Sequence, residues 1–381
     1  MSRLEREAPM ATILPRPETV QVETADGVTL RCRRYPRRGA RAVVCGHGQA
    51  STGYEFDLPL AGFNLAEKLY SLGYEVWILN FRGAGHPPWQ SDTLGWRNSG
   101  DEQGMLDLPA VIDRVVEETG RPCFYIGHSF GGMSLYMYLQ GAIPHDGDFS
   151  RVSIDRDAAV ERNRKIAAAL TAGSPLSLAD DAIDWMEKIR CHPWVQAVMR
   201  RLERYLLERA RRKPVVPIGR LSIWFGFRHP WLTRVIMSSP VMNLYMRPRN
   251  MGPEACRLFG TWAGGDVTVL HVAQTVRTVC SGELTAIDEE GNRYLSYAEG
   301  MANITTPLAA AAGTRDFMRP IDIEEKVLGA VSSEHKLFLP IHGCGHIDML
   351  YYLPLPEIMG WMEWASTAGM DAGSLPASRN A

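Results

Sequence analysis

The sequence lacks the features that mark membrane-spanning and nucleic-acid-binding proteins. No run of about eighteen uncharged apolar residues occurs in it, so we expect no transmembrane helix. Residues 1–18 combine charges and prolines without an apolar core, which argues against a secretory signal. The net charge is only −2 and the pI is near 6.6. This balance provides no overall basic surface, and we expect no nucleic-acid partner.

The patterns of disulfide-rich and zinc-binding proteins are also missing. The seven cysteines are odd in number, are scattered and form no C-x-x-C pair; they are Cys32, Cys45, Cys123, Cys191, Cys256, Cys280 and Cys344. Such spacing argues against a disulfide framework or a zinc site and favours a reducing compartment. We therefore expect a cytoplasmic protein with no metal ion.

The composition that remains is that of a protein with a sizeable apolar core. Of the 381 residues, 45% are hydrophobic and 22% are charged, which is typical of soluble globular proteins. This length allows one large domain, or a core that carries an inserted piece. One basic stretch, residues 200–213, is interpreted as the solvated face of a helix.

Strands and helices alternate in the first part of the sequence. After a hairpin pattern at 18–35, short apolar strands are predicted at 42–45, 75–80 and 123–127. Helical spacing between them predicts helices at 58–72 and 107–119, each followed by a glycine. Strict alternation of this kind predicts an α/β fold, with a mostly parallel sheet covered by helices on both faces.

The alternation breaks after Leu139 and returns near residue 307. A polar insert at 145–165 precedes a further strand candidate at 166–172, and residues 176–300 are rich in proline, tryptophan and methionine. We predict that 176–300 is an inserted, mostly helical cap. The core then consists of 18–175 and 301–368, with strands at 307–313 and 336–341 and helices near 323–330 and at 354–366.

The strongest chemical signal is the sequence GHSFGG at residues 127–132. It follows the predicted strand 123–127 directly and precedes a predicted helix at 133–139. A G-x-S-x-G sequence in this context predicts a nucleophile elbow, a sharp turn whose glycines avoid Cβ clashes and whose serine is exposed above the sheet. The helix N-terminus then points at a developing oxyanion. Ser129 is therefore the predicted nucleophile.

A serine nucleophile on such an elbow requires an acid and then a histidine later in the chain. His346 follows the last predicted strand and is flanked by glycine, so we predict that it is the general base; His342 is the competitor. Asp316 follows the strand 307–313 at the same edge of the sheet and is the predicted acid. Asp322 and Asp348 remain alternatives.

Backbone amides must also bind the oxyanion of the tetrahedral intermediate. One is predicted from Phe130, the residue after the nucleophile, and the other from Gln49, in the loop that follows the strand 42–45. We interpret His47 as a structural histidine. Residues 80–83, with sequence NFRG, are interpreted as a structural turn beside the site.

These motifs, in this order, resemble the acid lipases, the family of gastric and lysosomal lipases. The similar segments are 22–30, 64–83, 107–120, 266–284, 313–316 and 346–349. The resemblance implies an α/β-hydrolase fold with a cap, a triad of Ser129, Asp316 and His346, and acyl-ester chemistry. The sequence departs from the family in four ways: no secretory leader is visible, the family's glycosylation pattern is not visible, the insert 145–165 has no counterpart, and the acid loop reads Gly-Thr-Arg-Asp instead of Gly-Gly-Asn-Asp.

The sequence thus predicts a lipase-like carboxylic-ester hydrolase that acts on a small apolar acyl ester without a metal or cofactor. An apolar acyl pocket is predicted from cap residues Trp185, Trp194, Trp224, Phe225, Trp231, Met237, Met242 and Met246. Two alternatives remain. One is an acyltransferase or polyester synthase on the same fold, although such enzymes often have cysteine at the elbow. The other is a non-catalytic ligand- or partner-binding module on a hydrolase scaffold.

Overall fold

Fourteen strands alternate with helices along the part of the chain that the structure describes. The computed structural model describes residues 13–93, 98–176, 192–210, 212–287, 293–317 and 323–368. The strands are β1 Glu18–Glu23, β2 Thr29–Tyr35, β3 Ala42–Gly46, β4 Glu75–Asn80, β5 Cys123–His128, β6 Ala142–His145, β7 Asp148–Ile154, β8 Ile166–Ala172, β9 Val215–Val216, β10 Val267–Thr268, β11 Thr285–Ile287, β12 Arg293–Ser296, β13 Leu308–Gly313 and β14 Lys336–Ile341.

Ten longer helices cover these strands or lie between them in the described residues. They are α1 Leu65–Ser71, α2 Leu108–Thr119, α3 Phe130–Leu139, α4 Arg156–Lys165, α5 Pro193–Ala210, α6 Ile218–Arg228, α7 Pro230–Met237, α8 Pro248–Trp262, α9 Val269–Ser281 and α10 Leu355–Thr367. Short helical turns occur at Gly53–Glu55, Gly100–Glu102, Gln103–Asp107, Pro240–Leu244, Met301–Asn303, Ile323–Leu328 and Asp348–Tyr352.

Eight of the described strands form one central sheet, in the order β1-β2-β4-β3-β5-β8-β13-β14. The pairs from β4 to β14 are parallel, whereas β1 and β2 add an antiparallel edge. Most of the parallel strands are apolar along their whole length, because a strand covered on both faces buries every side chain. In β3, for example, all five residues are buried. The predicted α/β fold class is confirmed.

Successive side chains of a strand point to opposite faces, and the sheet accordingly separates two apolar clusters. Val44 lies in a cluster with α2 and α3, and its neighbours Val43 and Cys45 lie in a second cluster with α1 and α10. Because the six strands from β4 to β14 in the sheet order are parallel, their carboxyl ends all lie at one edge of the sheet. Open α/β sheets carry their sites at this edge.

Several predicted elements have different bounds in the structure. The helix predicted at 58–72 begins only at Leu65, because Asn64 caps it by accepting the amide of Glu67, while Leu58 packs into a third apolar cluster. The helix predicted at 133–139 starts at Phe130. The polar insert 145–165 is not a plain loop: it forms most of the β6–β7 hairpin and α4.

The segment between β8 and β13 carries α5 to α9. In the third apolar cluster, α8 residues such as Met251 and Phe259 pack with Leu58 and Tyr351, which lie outside this segment. The end of the segment packs against the sheet: Leu284, Ala286 and Tyr297 belong to the first apolar cluster, the one that contains Val44. Residues of β11 and β12 thus contribute to the core of the α/β structure.

Candidate active site

Ser129 lies in the turn between β5 and α3. Its backbone has φ 51° and ψ −119°, an unusual conformation for a residue with a side chain, and such strain costs about 1–3 kcal/mol. The serine amide donates to Ala172 of β8 at 2.8 Å, which fixes the turn on the neighbouring strand. The hydroxyl does not cap α3, so it is available for other contacts at the edge of the sheet.

Glycines around Ser129 permit the close approach of three chain segments. A Cβ at Gly127 would lie 2.7 Å from the backbone of Gly132, and one at Gly131 would overlap the carbonyl of Gly46 at the end of β3. The turn therefore requires residues without side chains at these positions. Gly48 has the same function beside the serine, since a Cβ there would lie 3.1 Å from the Cβ of Ser129.

His346 lies between Ser129 and Asp316. Its Nε2 is 2.8 Å from the Ser129 hydroxyl oxygen, and its Nδ1 is 2.8 Å from a carboxylate oxygen of Asp316. His346 and Asp316 are both buried, each about 6% exposed. Because the carboxylate can only accept, Nδ1 carries a proton and donates it, and Nε2 presents its lone pair to the serine hydroxyl. The structure thus brings together the three residues predicted as nucleophile, base and acid.

The alternative residues occupy other positions. Asp348 does not face the imidazole: its carboxylate accepts the amides of Gly345 and Arg247 and the side chain of Asn250. It thereby ties the turn that carries His346 to the start of α8. His342 is exposed at the beginning of that turn. Asp322 lies outside the described residues.

Gln49 and Phe130, the predicted oxyanion residues, flank Ser129 and are both held by α9. The Gln49 side chain donates to the carbonyl of His271 at 3.1 Å and accepts from Thr275 at 2.9 Å. The Phe130 ring packs edge-on against the His271 ring, with 4.2 Å between centroids. Phe130 is also the first residue of α3, where backbone N–H groups have no acceptor within the helix. Such an end attracts a developing negative charge.

His47 has the hydrogen-bond pattern of a neutral structural histidine. Its Nε2 accepts the amide of Phe81 at 3.1 Å, so its proton is on Nδ1, which donates to the carbonyl of Gly48 at 2.8 Å. Burial lowers the pKa of the ring. His47 therefore connects the oxyanion loop, defined here as residues 47–49, to the end of β4.

The NFRG turn at 80–83 is built into the core. The Arg82 guanidinium is fully buried and pairs with Asp26 and Asp107. Asn80 accepts the amide of Gly53 and donates to the carbonyl of Trp89. These contacts hold the segments next to the site and do not reach Ser129 or His346, in agreement with the structural interpretation.

A cavity of about 430 Å³ opens above Ser129 and His346. Its walls combine the oxyanion loop with residues of α6 to α9, and most of its surface is apolar. The apolar side chains that line it are Ile218, Met237, Met242, Tyr245, Phe259, Ala263, Phe317 and Ile347. The insertion therefore lies over the carboxyl edge of the sheet, directly above the serine.

The aromatic residues expected in this pocket are mostly elsewhere. Trp194, Trp224 and Trp231 are exposed, at 69%, 54% and 66%. Of the expected set, Met237 and Met242 line the cavity, whereas Met246 is buried in the third apolar cluster. Phe225 contacts Trp224 and His229 outside the cavity, and Trp185 lies outside the described residues. The expectation was wrong for the tryptophans of α5, α6 and α7 because helical spacing does not tell the outer face of a cap from its inner face.

Two polar residues that the sequence reasoning missed lie beside the serine and reach the wall of the cavity. Glu55 and His128 are buried and their side chains are in contact, with 3.3 Å between Oε1 and Nδ1. His128 is part of the GHSFGG sequence, but Glu55 lies 73 residues earlier in the chain. Glu55 and His128 meet because β3, which precedes Glu55, lies next to β5 in the sheet. No local sequence signal indicates this contact.

Two other structural features are not found among the described residues. No group of three or more His, Cys, Asp or Glu side chains there has an arrangement that could hold a metal ion. Among the same residues, no helix is both long and apolar enough to cross a membrane.

Comparisons with known proteins agree with this architecture. A family model described as serine aminopeptidase, S33, matches residues 40–150. Lipase 1 of Drosophila melanogaster is 35% identical over 126 residues, which are 32% of this chain and 29% of that protein. Gastric triacylglycerol lipase of Homo sapiens is 34% identical over 131 residues, which are 30% and 32% of the two chains. The chain thus spans about a third of the length of these curated relatives.

Solved structures match a far larger part of the chain. The structure of DcsB in complex with its substrate analogue has a TM-score of 0.56 at 14% identity and covers 92% of this chain and 99% of its own. At this identity the match indicates a similar fold and nothing more. Together with the sheet order, it shows that the chain has an α/β-hydrolase fold. Over about a third of its length the chain is also similar in sequence to lipases, among them a gastric lipase, in agreement with the resemblance found in the sequence.

Proposed function

We propose that the protein is a serine hydrolase that cleaves carboxylic esters of apolar acyl groups. One observation carries the proposal: the His346 ring lies 2.8 Å from both the Ser129 hydroxyl and the Asp316 carboxylate. This arrangement makes a weakly acidic hydroxyl nucleophilic, because a positioned base removes its proton as it attacks. The lipase relatives support ester chemistry.

The first half of the reaction acylates Ser129. The serine oxygen attacks the ester carbonyl while Nε2 of His346 takes its proton, and Asp316 stabilises the resulting imidazolium. The carbonyl oxygen becomes an oxyanion that accepts hydrogen bonds from the backbone amides of Gln49 and Phe130. When the tetrahedral intermediate collapses, the bond to the alcohol oxygen breaks and His346 returns the proton to that oxygen. The alcohol leaves, and the acyl group remains on Ser129.

The second half repeats these steps with water. His346 removes a proton from a water molecule, whose oxygen attacks the acyl-serine carbonyl, and the same two amides bind the oxyanion. Collapse of this intermediate releases the carboxylic acid and returns the proton to Ser129. Side chains and backbone of this chain perform every step, and the scheme requires no metal or cofactor.

The cavity above Ser129 supports an apolar acyl group as the substrate class. Its volume of about 430 Å³ lies within the usual range for small-molecule pockets, and its walls are mainly methionine, aliphatic and aromatic side chains. An acyl chain that enters it leaves water, and each buried methylene contributes about 0.8 kcal/mol. We also propose that the helices within residues 176–300 act as a cap on a core formed by 18–175 and 301–368, while Leu284, Ala286 and Tyr297 at the end of this segment pack into that core.

We also propose a cytoplasmic location. The support is chemical: Cys32, Cys45, Cys123, Cys256 and Cys344 are all free and buried, which is the usual state of cysteines in a reducing compartment. Burial raises the pKa of Cys32, Cys123 and Cys344 to about 12, so these thiols are unreactive at neutral pH.

The direct test is hydrolysis of p-nitrophenyl butyrate by the Ser129→Ala variant. We expect kcat to fall by roughly 10⁴- to 10⁶-fold with an unchanged melting temperature, because the lost hydroxyl does not contribute to core packing. Ser71→Ala, a change at the exposed end of α1, is the matched control and should leave both quantities unchanged. Full activity in Ser129→Ala would refute the proposal.

A further inference from the structure

His128 lies between two hydrogen-bond acceptors. Its Nδ1 faces the carboxylate oxygen of Glu55 at 3.3 Å, and its Nε2 faces the backbone carbonyl oxygen of His346 at 3.0 Å. Neither partner can donate a hydrogen bond. A neutral imidazole has one N–H and one lone pair, so it can satisfy only one of them and must direct its lone pair at the other oxygen. Only the imidazolium, which has two N–H groups, matches both neighbours.

The two other histidines of the site have different surroundings. His47 has one donor and one acceptor as neighbours, the amide of Phe81 and the carbonyl of Gly48, and this pair fits a neutral ring. His346 faces an acceptor, Asp316, and a hydroxyl that can donate. Among these three rings, His128 is therefore the one whose neighbours both require a donor. The pKa of His128 is raised in agreement with this: burial lowers it, but the charge and hydrogen bond of Glu55 outweigh burial.

Glu55 extends the contacts of this ion pair to the oxyanion loop. The oxygen that faces His128 also accepts the amide of Gly48 at 2.9 Å, and the second oxygen accepts the Ser51 hydroxyl at 2.6 Å. Glu55 is about 1% exposed, and despite this burial its pKa is lowered by the neighbouring His128. The backbone carbonyl of Glu55 accepts from the Tyr351 hydroxyl at 3.1 Å, which fixes the backbone of this residue.

We propose that the Glu55–His128 ion pair is a positioning pair. It holds the oxyanion loop and the turn that carries His346 in fixed positions on either side of Ser129. Glu55 fixes the amide of Gly48, which precedes the oxyanion residue Gln49. His128, protonated at neutral pH, fixes the carbonyl of His346 and is itself adjacent to Ser129 in sequence. The assignment rests on the function proposed above, and neither residue forms a bond with the substrate in the scheme.

The ion pair implies a defined pH dependence. The charged or titratable groups that face His128 are Glu55 and His47 from the segment after β3, Asp316 from the loop after β13, and His346 from the turn after β14. Because the pKa of His128 is raised on folding, its stabilising contribution is complete below the ordinary histidine pKa and disappears as pH rises through the raised value. The pKa of Glu55 is lowered, so its contribution is lost only when pH falls through that lowered value.

Nitrogen-15 NMR of histidine-labelled protein tests the protonation state without any substrate. We expect both His128 ring nitrogens to carry protons at pH 7, with the signals assigned by their absence in His128→Gln. In Glu55→Gln, whose amide has no charge to stabilise the imidazolium, the ring should become neutral at that pH. A neutral His128 ring in the wild-type protein would overturn the proposal. This result is independent of whether the protein hydrolyses esters, so the two proposals can fail separately.

Kinetics then separate positioning from mere structural support. We expect Glu55→Gln to lower kcat by about 100-fold with KM within a few-fold, since displaced catalytic groups affect the chemical step more than binding, and to move the alkaline limb of the kcat profile to lower pH. Glu75→Gln is the matched control: Glu75 is also a buried glutamate in polar contacts, with Arg34 and Trp77, but it lies at the amino end of β4. It should lose stability with unchanged kcat and pH profile. Equal kinetics in the two variants would contradict the proposal.

Discussion

Asp316 determines which ring nitrogen His346 offers to Ser129. The carboxylate accepts from Nδ1 at 2.8 Å, which leaves the Nε2 lone pair directed at the serine hydroxyl. In Asp316→Asn the amide group can donate to Nδ1 and so favours the wrong tautomer. We expect kcat to fall by about 10⁴-fold while the melting temperature is nearly unchanged.

The measurement is steady-state hydrolysis of a p-nitrophenyl ester, with thermal melts of the same samples. Asp92→Asn provides the control, since Asp92 is an exposed partner of Arg31 and lies outside the proposed triad. A loss of less than tenfold in Asp316→Asn would mean that another residue orients the ring.

The site residues that can be proposed from the sequence are those with a local signal. Ser129 lies between a buried strand and a glycine-flanked helix start, and that pattern is complete within ten residues or so of chain. Glu55 has no such signal, because its significance depends on contacts with Gly48 and with His128, which is 73 residues away. The tryptophans of the insertion were wrongly expected in the pocket because composition does not distinguish the two faces of a cap helix.

The turn between β5 and α3 depends on glycines, because they allow its backbone to approach the backbone at the end of β3 closely. A Cβ at Gly131 would overlap the carbonyl of Gly46, so Gly131→Ala must push α3 away from β3. We expect a loss of about 1–3 kcal/mol in the free energy of unfolding. Activity should also fall, because the same shift displaces the amide of Phe130.

The control for this substitution is Gly360→Ala in α10. A Cβ at Gly360 meets nothing within 4 Å, and alanine is favoured over glycine within a helix by about 1 kcal/mol. Gly360→Ala should therefore stabilise the protein without any change in kcat. Chemical denaturation measures both variants, and a Gly131→Ala protein as stable as the wild type would contradict the packing described for the elbow.

Elements with a strong apolar pattern were predicted well, and those fixed by distant contacts were not. The strands β3, β4, β5 and β13 lie close to their predicted positions because fully buried parallel strands are apolar throughout. The helix predicted at 58–72 is shorter, since Asn64 caps its start and Leu58 is required in the cluster with α8. Helical periodicity alone does not include these tertiary contacts.

At the scale of the whole molecule, the insertion closes over the sheet edge and creates an apolar cavity above Ser129. We expect kcat/KM to rise with acyl chain length by up to about fourfold per methylene until the cavity is filled. Medium-chain p-nitrophenyl esters should therefore exceed the acetate. Rates that fall steadily from acetyl to octanoyl esters would exclude this use of the cavity.

A pair of variants tests whether the size of that cavity determines the preferred acyl chain length. Ile218 lines the cavity, so Ile218→Trp should shorten the preferred chain. Ile236 is exposed on α7 of the same insertion, and Ile236→Trp adds the same bulk outside the cavity. The chain-length profile should shift only for the first variant, and an identical profile in both would place the acyl group elsewhere.

The proposed reaction acylates Ser129 covalently, and mass spectrometry of the protein after rapid mixing with a p-nitrophenyl ester detects such an adduct. We expect a mass increase equal to one acyl group, located by proteolysis on the peptide that contains Ser129. The adduct should be absent in Ser129→Ala and should form far more slowly in His346→Ala, because the general base is missing. Rapid ester hydrolysis without an adduct, or with an adduct at another residue, would contradict the proposed role of Ser129 as nucleophile.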